Sequence, residues 1–188
     1  MTDDSQENIE KHMKRVEEWR KQEENKQKIA LRFMVKLLKQ HGLKYYAAEY
    51  SGEGDSGSIN FTCLSNEKLG PVSECDCWGG NFEQTSDEIL QKTKDIILVS
   101  KDFPESIQPY NYLEGQLALL AQDLNVRKFT LFDALEHCAY YLLPGGFEIN
   151  DGGQGVLILD AETGEVEIEA GNNYTEVNYN TITFNLGE

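Results

Sequence analysis

The chain has 188 residues, of which 39% are hydrophobic and 10% aromatic, and its formal net charge at pH 7 is -16. This length suffices for one hydrophobic core, and the aromatic content excludes a disordered chain. No apolar run reaches the roughly 20 residues of a transmembrane helix, and Met1-Thr2-Asp3-Asp4 is acidic where a secretory signal is basic. We therefore expect a cytoplasmic protein without a membrane partner, whose cysteines are reduced thiols: Cys63, Cys75, Cys77 and Cys138.

Positive and negative charges are separated along the chain. Residues 1–44 contain eleven Lys/Arg and eight Asp/Glu, a net charge of +3, whereas residues 45–188 contain six and twenty-five, a net charge of -19. A field of that sign repels nucleic acid and attracts basic proteins. We expect no direct nucleic-acid binding, and a protein partner with a basic surface.

Residues 5–40 are predicted to form one long helix, because they lack Gly and Pro and because His41-Gly42 is a typical helix end. The second half is broadly apolar and is predicted to pack on the body. The first half is predicted to project, since it carries only a thin apolar stripe: Ile9, Met13, Val16 and Trp19. The projecting half is either a solvated helix or one that binds a partner, including a second copy in a homodimer. The chain thus divides into an N-terminal helix, residues 1–42, and a single acidic domain, residues 43–188.

The first part of the acidic domain is predicted to begin with a β-hairpin. Residues 45–50 and 57–63 alternate apolar and polar side chains on either side of Gly52-Glu53-Gly54-Asp55-Ser56-Gly57. Residues 64–84, which include Cys75 and Cys77, are predicted to be loop. Residues 86–101 are predicted to form a helix that begins after Ser86.

The second part of the domain is predicted to contain two helices and a meander. Ala, Leu and Gln dominate residues 112–124, which favours a short helix, and Thr130 is predicted to cap a helix that runs to Leu143. Residues 154–184 alternate as three strands with a turn at Glu162-Thr163-Gly164. The predicted fold class is α+β: an antiparallel sheet, made of the hairpin and the C-terminal meander, with helices on one face.

Two glycine-rich motifs in the chain are similar to motifs of a known protein family. The chain contains Tyr50-Ser51-Gly52-Glu53-Gly54-Asp55-Ser56-Gly57 and, far downstream, Gly145-Gly146-Phe147-Glu148-Ile149-Asn150-Asp151-Gly152. On these motifs it resembles an uncharacterised family of small bacterial and bacteriophage proteins, over residues 43–57 and 131–184. In that family the residue after the Gly-Gly pair is usually Trp, where this chain has Phe147. No activity is known for that family, so the resemblance implies a bacterial or phage origin and, by analogy with other phage proteins, a role as an inhibitor of host defence.

The same two loops offer a metal site as an alternative. Their oxygen-bearing side chains would form a pocket for Ca²⁺ or Mg²⁺ if the loops meet at one end of the sheet: Glu53, Asp55, Glu148, Asn150 and Asp151. Asp, Asn and Gly also form turns for purely local reasons, and the spacing matches no EF-hand. A metal-dependent enzyme or a small-ligand-binding domain is therefore the second functional hypothesis.

The first hypothesis is a non-enzymatic protein-binding domain. Its acidic face is predicted to contain Glu148, Asp151, Asp160, Glu162, Glu165, Glu167 and Glu169. These carboxylates would take the place of nucleic-acid phosphates against a basic, nucleic-acid-binding surface, such as that of a host defence complex. The tyrosines, including Tyr174, are predicted either to pack half-buried or to add to the binding surface. No cofactor and no catalytic residue is predicted under this hypothesis.

Overall fold

A computed structural model describes residues 3–69, 85–109 and 128–174. The described helices are α1 (Asp3–Gln40), α2 (Asp87–Thr93) and α3 (Leu131–Ala139). The described strands are β1 (Tyr45–Glu53), β2 (Ser56–Ser65), β3 (Ile97–Val99), β4 (Lys128–Thr130), β5 (Gly153–Asp160) and β6 (Val166–Asn172). In these ranges no helix combines the length and the apolar character needed to cross a bilayer. The mixed α+β fold class predicted from the sequence is confirmed.

Helix α1 ends where the sequence predicts. Gly42 adopts a left-handed conformation, with φ of 63°, and the amide of Leu43 donates to the carbonyl oxygen of Leu38 at 2.9 Å. This is the Schellman arrangement, in which glycine follows the last helical turn without a steric cost. From residue 30 onward α1 buries one face, whereas every residue from 8 to 22 is exposed.

Four strands form the main sheet in the order β2-β1-β5-β6, and all neighbours are antiparallel. The β1–β2 hairpin turns through Gly54 and Asp55, whose φ values of 58° and 68° are those of a tight type I′ turn. The turn at residues 162–164 joins β5 to β6, with Gly164 at a φ of 77°. These two hairpins confirm the described part of the predicted sheet.

The helices cover one face of this sheet. Residues at alternate positions of a strand face the same side, so Tyr46, Ala48 and Tyr50 of β1 lie beside Leu157 and Leu159 of β5 in the large core under the helices. The intervening positions form a second, smaller buried cluster on the opposite face: Ala47, Cys63, Val156 and Ile158. Both faces of the sheet centre are therefore buried.

The two shorter helices begin with the predicted caps. The Ser86 hydroxyl accepts from the amide of Ile89 at 3.4 Å at the start of α2. Thr130 and Asp133 form a reciprocal capping box at the start of α3, because each side chain accepts from the backbone amide of the other residue. Such caps are worth about 1 kcal/mol each.

The predicted helix over residues 86–101 is wrong in its second half. Helix α2 ends at Thr93, and residues 97–99 form β3, which pairs antiparallel with β4 and sets Leu98 opposite Phe129. The β-branched residues of the Ile96-Ile97-Leu98-Val99 run favour a strand, and the partner strand lies too far along the chain for a local pattern to reveal it.

Several predicted features lie outside the described residues. These are the loop between residues 70 and 84 with Cys75 and Cys77, the helix at residues 112–124, and the third meander strand at residues 177–184.

Candidate functional site

The two glycine-rich segments meet at one end of the main sheet. The amide of Gly54 in the β1–β2 turn donates to the carbonyl oxygen of Asn150 in the loop at residues 145–152, at 2.9 Å. Gly152 approaches the backbone of Gly52 so closely that a Cβ atom at Gly152 would overlap the Gly52 carbonyl oxygen. Close packing thus requires glycine at Gly52, Gly57 and Gly152, whereas Gly54 and Gly146 have open space around them and a positive φ instead.

Phe147 fixes this loop to the hairpin. Its ring packs against Tyr50 on the helix-covered side of the sheet, and a Cβ atom added at Gly57 would lie 2.5 Å from the Phe147 ring. The Tyr140 hydroxyl accepts from the amide of Ile59 at 3.1 Å and donates to the carbonyl oxygen of Gly57 at 3.3 Å. Helix α3, the loop and the hairpin therefore hold one another in place.

The predicted metal ligands are only partly brought together. Glu53, Asn150 and Asp151 line one groove, whereas Asp55 sits at the turn and Glu148 packs against Gly52 and Gly57. One carboxylate oxygen of Glu148, Oε2, is buried and accepts no hydrogen bond from the described residues. Within the described ranges, no group of three or more His, Cys, Asp or Glu side chains is placed to hold a metal ion. A Ca²⁺ or Mg²⁺ site stays a prediction.

An open groove of about 1210 Å³ lies between the hairpin and the loop. It opens on the face of the sheet opposite the helices, because Glu49, Ser51 and Glu53 occupy the alternate positions of β1 that face away from α1 and α3. We call this the hairpin groove. Its described polar lining consists of Glu49, Ser51, Glu53, Ser56, Ser58, Asn60, Asn150, Asp151, Gln154, Asn173 and Tyr174.

The charged side chains that line the described part of the groove are all negative. Its charged side chains are the carboxylates of Glu49, Glu53 and Asp151, and none of the lining residues that the structure describes is Lys, Arg or His. The remaining side chains carry amides and hydroxyls, which both donate and accept hydrogen bonds. Tyr174 at the rim is 86% exposed. The described lining of the groove thus offers an aromatic ring and many hydrogen-bond acceptors, without a cationic side chain.

A β-bulge shapes the floor of the hairpin groove. The pairing of β1 with β2 shifts between Glu49 and Tyr50, which leaves Asn60 as the extra residue of β2. The Asn60 side-chain amide donates to Ser51 Oγ at 2.7 Å, and its oxygen accepts from Ser58 Oγ at 2.6 Å. These bonds hold the amide of Asn60 in a fixed orientation beside the Glu49 strand position.

Glu49 is the half-buried carboxylate of the floor. Its strand neighbours in register are Phe61 on β2 and Val156 on β5, so its side chain stands in a largely apolar row. Burial raises the pKa of the Glu49 carboxyl above the ordinary value of 4.5. Within the described part of the chain the carboxylate has neither an ion pair nor a hydrogen bond. A partly buried carboxylate loses some of its hydration, and groups whose pKa is shifted in this way cluster at functional sites.

The seven predicted binding acids do not form one patch. Asp151 lies in the hairpin groove, before β5, and Asp160 lies at the other end of this strand, which is about 24 Å long at 3.4 Å per residue. Asp160 Oδ1 accepts from the amide of Glu162 at 2.7 Å and so shapes the turn, while Glu162 pairs with Lys44 at 3.1 Å. These two carboxylates have local structural partners.

Glu167 and Glu169 lie on the same sheet face as the hairpin groove. They are opposite Ile158 and Val156 in the β5–β6 register, and both are exposed. Within the described residues neither has an ion pair, although Lys68 lines the same depression as Glu165 and Glu167. The register gives a row across the sheet of Glu169, Val156, Glu49 and Phe61. We call Glu49, Glu53, Asp151, Glu167 and Glu169 the acidic sheet face.

Sequence reasoning did not single out Glu49 or Asn60 as site residues. The signal available for Glu49 was a carboxylate in the interior of the otherwise largely apolar Tyr45–Glu53 strand, whose other carboxylate, Glu53, stands at the strand end. The position of Asn60 depends on a pairing shift, which leaves no local signature in the sequence. His137 has a structural role, because its Nε2 donates to the carbonyl oxygen of Ile107 at 2.8 Å.

Comparisons of the chain with models of known protein families, with curated protein sequences and with solved structures gave no match.

Proposed function

We propose that this chain is a non-enzymatic protein-binding domain whose acidic sheet face engages a basic surface of another protein. The observation that supports this most directly is that five carboxylates lie on the sheet face opposite the described helices or in the groove that opens on that face. Among the described residues that line the hairpin groove, at the glycine-rich end of that face, there is no Lys, Arg or His.

The charge pattern favours a protein over a nucleic acid as the partner. The net charge of -19 over residues 45–188 repels phosphate and speeds the encounter with Lys- and Arg-rich surfaces. Glu167 and Glu169 project at a spacing of about 7 Å along an extended strand. A regular array of this kind competes with phosphates for the basic surface of a nucleic-acid-binding protein. The resemblance to bacterial and phage proteins makes a host defence complex the partner to test.

Capture from a bacterial lysate tests the proposal when it is combined with a salt titration and a DNA competitor. We expect the captured protein to be basic, to elute steeply with rising salt, and to be displaced by duplex DNA. A captured protein that is acidic, or that resists both salt and DNA, contradicts the proposal.

Charge reversal locates the surface. The double variant Glu167→Lys/Glu169→Lys is expected to lose the captured partner. The control Glu88→Lys/Glu105→Lys alters the net charge equally, at exposed positions away from the acidic sheet face, and is expected to retain it. Equal loss in both variants would mean that only the overall charge matters.

A small-ligand function is the second candidate, and the hairpin groove is the observation that favours it. Under that hypothesis Ca²⁺ or Mg²⁺ raises the melting temperature, because a ligand that binds only the folded state stabilises it. Under the same hypothesis the variant Asp151→Ala would abolish that rise, whereas Glu167→Lys/Glu169→Lys would keep it.

A further inference from the structure

We infer that the outer edge of β2 is a self-complementary pairing site for β2 of a second copy, and that the Tyr140 hydroxyl keeps this edge closed. Within the described sheet, β2 is an outer strand with β1 as its neighbour. The inference does not depend on the proposed function, because it uses backbone groups of the hairpin and none of the carboxylates of the acidic sheet face.

Tyr140 bonds to two backbone groups on the outer edge of β2. In the two-residue hairpin, alternate residues of β2 direct their backbone groups toward β1, and Gly57 and Ile59 are among those that direct theirs outward. The Tyr140 hydroxyl accepts from the amide of Ile59 at 3.1 Å and donates to the carbonyl oxygen of Gly57 at 3.3 Å. One side chain next to α3 thus takes two bonds that a neighbouring strand would take.

The two groups are complementary to themselves. When two antiparallel strands pair about a two-fold axis, the residue on the axis faces its own copy. The amide that follows this residue then donates to the carbonyl oxygen that precedes it in the other strand. With Ser58 on the axis, the Ile59 amide of each copy donates to the Gly57 carbonyl oxygen of the other. Strand pairing and the Tyr140 contact therefore exclude each other.

The composition of β2 favours a second copy as the partner. The strand contains no Lys, Arg, His, Asp, Glu or Pro, whereas each of the other strands of the described main sheet, β1, β5 and β6, carries at least one carboxylate. Charged residues and Pro are the usual protection of a sheet edge against pairing. Two copies of the chain repel each other through a net charge of -16, and paired β2 strands would add no like charges to that repulsion.

The pairing site is short. Asn60 forms the bulge that interrupts the strand, and beyond it the Thr85 hydroxyl accepts from the amide of Leu64 at 3.0 Å. The edge left for pairing is therefore the stretch of residues 57–59, where Tyr140 bonds. A contact of this length associates weakly, so the two bonds of one hydroxyl are sufficient to compete with it.

The position of Tyr140 allows the edge to open without unfolding of the core. Tyr140 directly follows Ala139, the last residue of α3, and its side chain is 40% exposed. Helix ends fray more readily than helix centres. The hydroxyl can thus leave β2 while the buried face of α3 stays packed.

The test compares the full chain with Tyr140→Ala and with the control Tyr141→Ala, which removes a neighbouring ring that packs against His137. Sedimentation velocity over a concentration series should give an association constant about tenfold higher for Tyr140→Ala, because the wild type must first break two hydrogen bonds. Tyr141→Ala should match the wild type. An unchanged constant in Tyr140→Ala, or an equal rise in Tyr141→Ala, would overturn the inference.

Amide hydrogen exchange locates the contact. In Tyr140→Ala the amides of Gly57 and Ile59 should become more protected as protein concentration rises. A dimer through the apolar stripe of α1 would not protect these two amides. Association without concentration-dependent protection of these two amides would therefore contradict the assignment to β2.

A lysine on the proposed axis provides the reverse test. In Tyr140→Ala/Ser58→Lys the two lysines would lie opposite each other, with Cα atoms about 4.5 Å apart, and should return association to the wild-type level. The control Tyr140→Ala/Ser65→Lys adds the same charge at the far end of β2 and should keep the tenfold gain. Equal association of the two double variants would overturn the inference.

Tyr140→Phe tests the hydroxyl alone, and it decides the matter if circular dichroism shows that Tyr140→Ala is partly unfolded. The variant keeps the ring and removes both hydrogen bonds. In dilute solution the Ile59 amide should exchange faster than in the wild type, and the exchange should slow as concentration rises. Ile59 exchange equal to that of the wild type would mean that the hydroxyl does not close the edge.

Discussion

The ring of Phe147 packs edge-on against the ring of Tyr50, with 5.1 Å between the ring centroids and 80° between the ring planes. This contact joins the loop at residues 145–152 to the central strand β1, two segments that lie far apart in the sequence. The groove wall formed by Asn150 and Asp151 depends on it, because the same loop carries both residues. The integrity of the site and the stability of the fold are therefore linked at this aromatic pair.

Phe147→Ala is expected to lower the free energy of unfolding by about 3 kcal/mol, because the ring fills space between Tyr50 and Gly57. Urea denaturation monitored by circular dichroism measures the loss. The control Ile149→Ala lies in the same loop with its side chain 51% exposed and should change stability by less than about 0.5 kcal/mol. Similar losses in the two variants would mean that the loop is not clamped by Phe147.

Gly152→Ala and Gly164→Ala separate backbone strain from steric overlap. Both glycines have positive φ, of 73° and 77°, but only Gly152 faces backbone, whereas nothing lies within 4 Å of a Cβ atom at Gly164. We expect a loss of about 1 kcal/mol for Gly164→Ala and at least about 3 kcal/mol for Gly152→Ala. If thermal melts place the two variants together, the close approach of Gly152 to Gly52 is not important for stability.

Glu49→Gln is expected to stabilise the protein at neutral pH. Burial raises the pKa of Glu49 in the folded state above the ordinary value of 4.5, so folding favours the protonated form. Wild-type stability from this group is therefore fully present below pH 4.5 and is lost as pH rises through the folded-state pKa. The advantage of the variant should appear above pH 4.5 and vanish at lower pH, as measured by urea denaturation across a pH series.

The ion pair of Glu17 and Lys21 on α1 provides a control, because the pKa of Glu17 is shifted in the opposite direction to that of Glu49. A hydrogen bond from Lys21 at 2.7 Å lowers the pKa of Glu17, so stability from Glu17 is present at neutral pH and is lost as pH falls through the folded-state pKa. Glu17→Gln should therefore give a small loss at neutral pH that disappears in acid. Parallel pH profiles for the two variants would contradict the assignment of Glu49 to a desolvated site.

Deletion of residues 1–22 is expected to leave the fold intact. Every residue from 8 to 22 is exposed, including Trp19 at 63%, so their removal should change the free energy of unfolding by less than about 0.5 kcal/mol. In contrast, Met34→Ala in the buried half of α1 should cost about 3 kcal/mol. A large loss on deletion would show that the first half of α1 contributes to the fold.

The same deletion distinguishes a solvated helix from a homodimer. If the stripe of Ile9, Met13, Val16 and Trp19 forms a homodimer, sedimentation equilibrium shows a concentration-dependent mass for the full chain and a monomer for the deletion variant. If both proteins are monomers, the homodimer hypothesis is wrong and the first half of α1 is a solvated helix.

Cys138 is expected to be inert in the folded protein. It is fully buried in α3, and burial raises its pKa to about 12, so hardly any reactive thiolate exists at pH 8. Peptide mass spectrometry after iodoacetamide treatment should find Cys138 unmodified in native protein and alkylated in denaturant. Alkylation under native conditions would mean that α3 opens readily from the sheet.

Local signals in the sequence determined a large part of the fold. The end of α1 at Gly42, the cap at Thr130 and the turn at residues 162–164 depend on neighbouring residues only, so their patterns were sufficient. The alternation of residues 45–63 likewise predicted the hairpin, because one buried face imposes a period of two on a strand. The charge separation between the helix and the acidic domain also follows from composition alone.

Only the tertiary structure decided how these elements combine into a site. β3 forms because residues 97–99 meet β4, and Glu49 becomes a half-buried carboxylate because Phe61 and Val156 flank it in register. Of the predicted acids, Asp151 lies in the hairpin groove, Glu148 packs in the loop against Gly52 and Gly57, and Glu162 pairs with Lys44 at the β5–β6 turn. These contacts join segments that lie far apart in the sequence. Their geometry depends on how the whole core packs, and it produces no periodic pattern of residues along the chain.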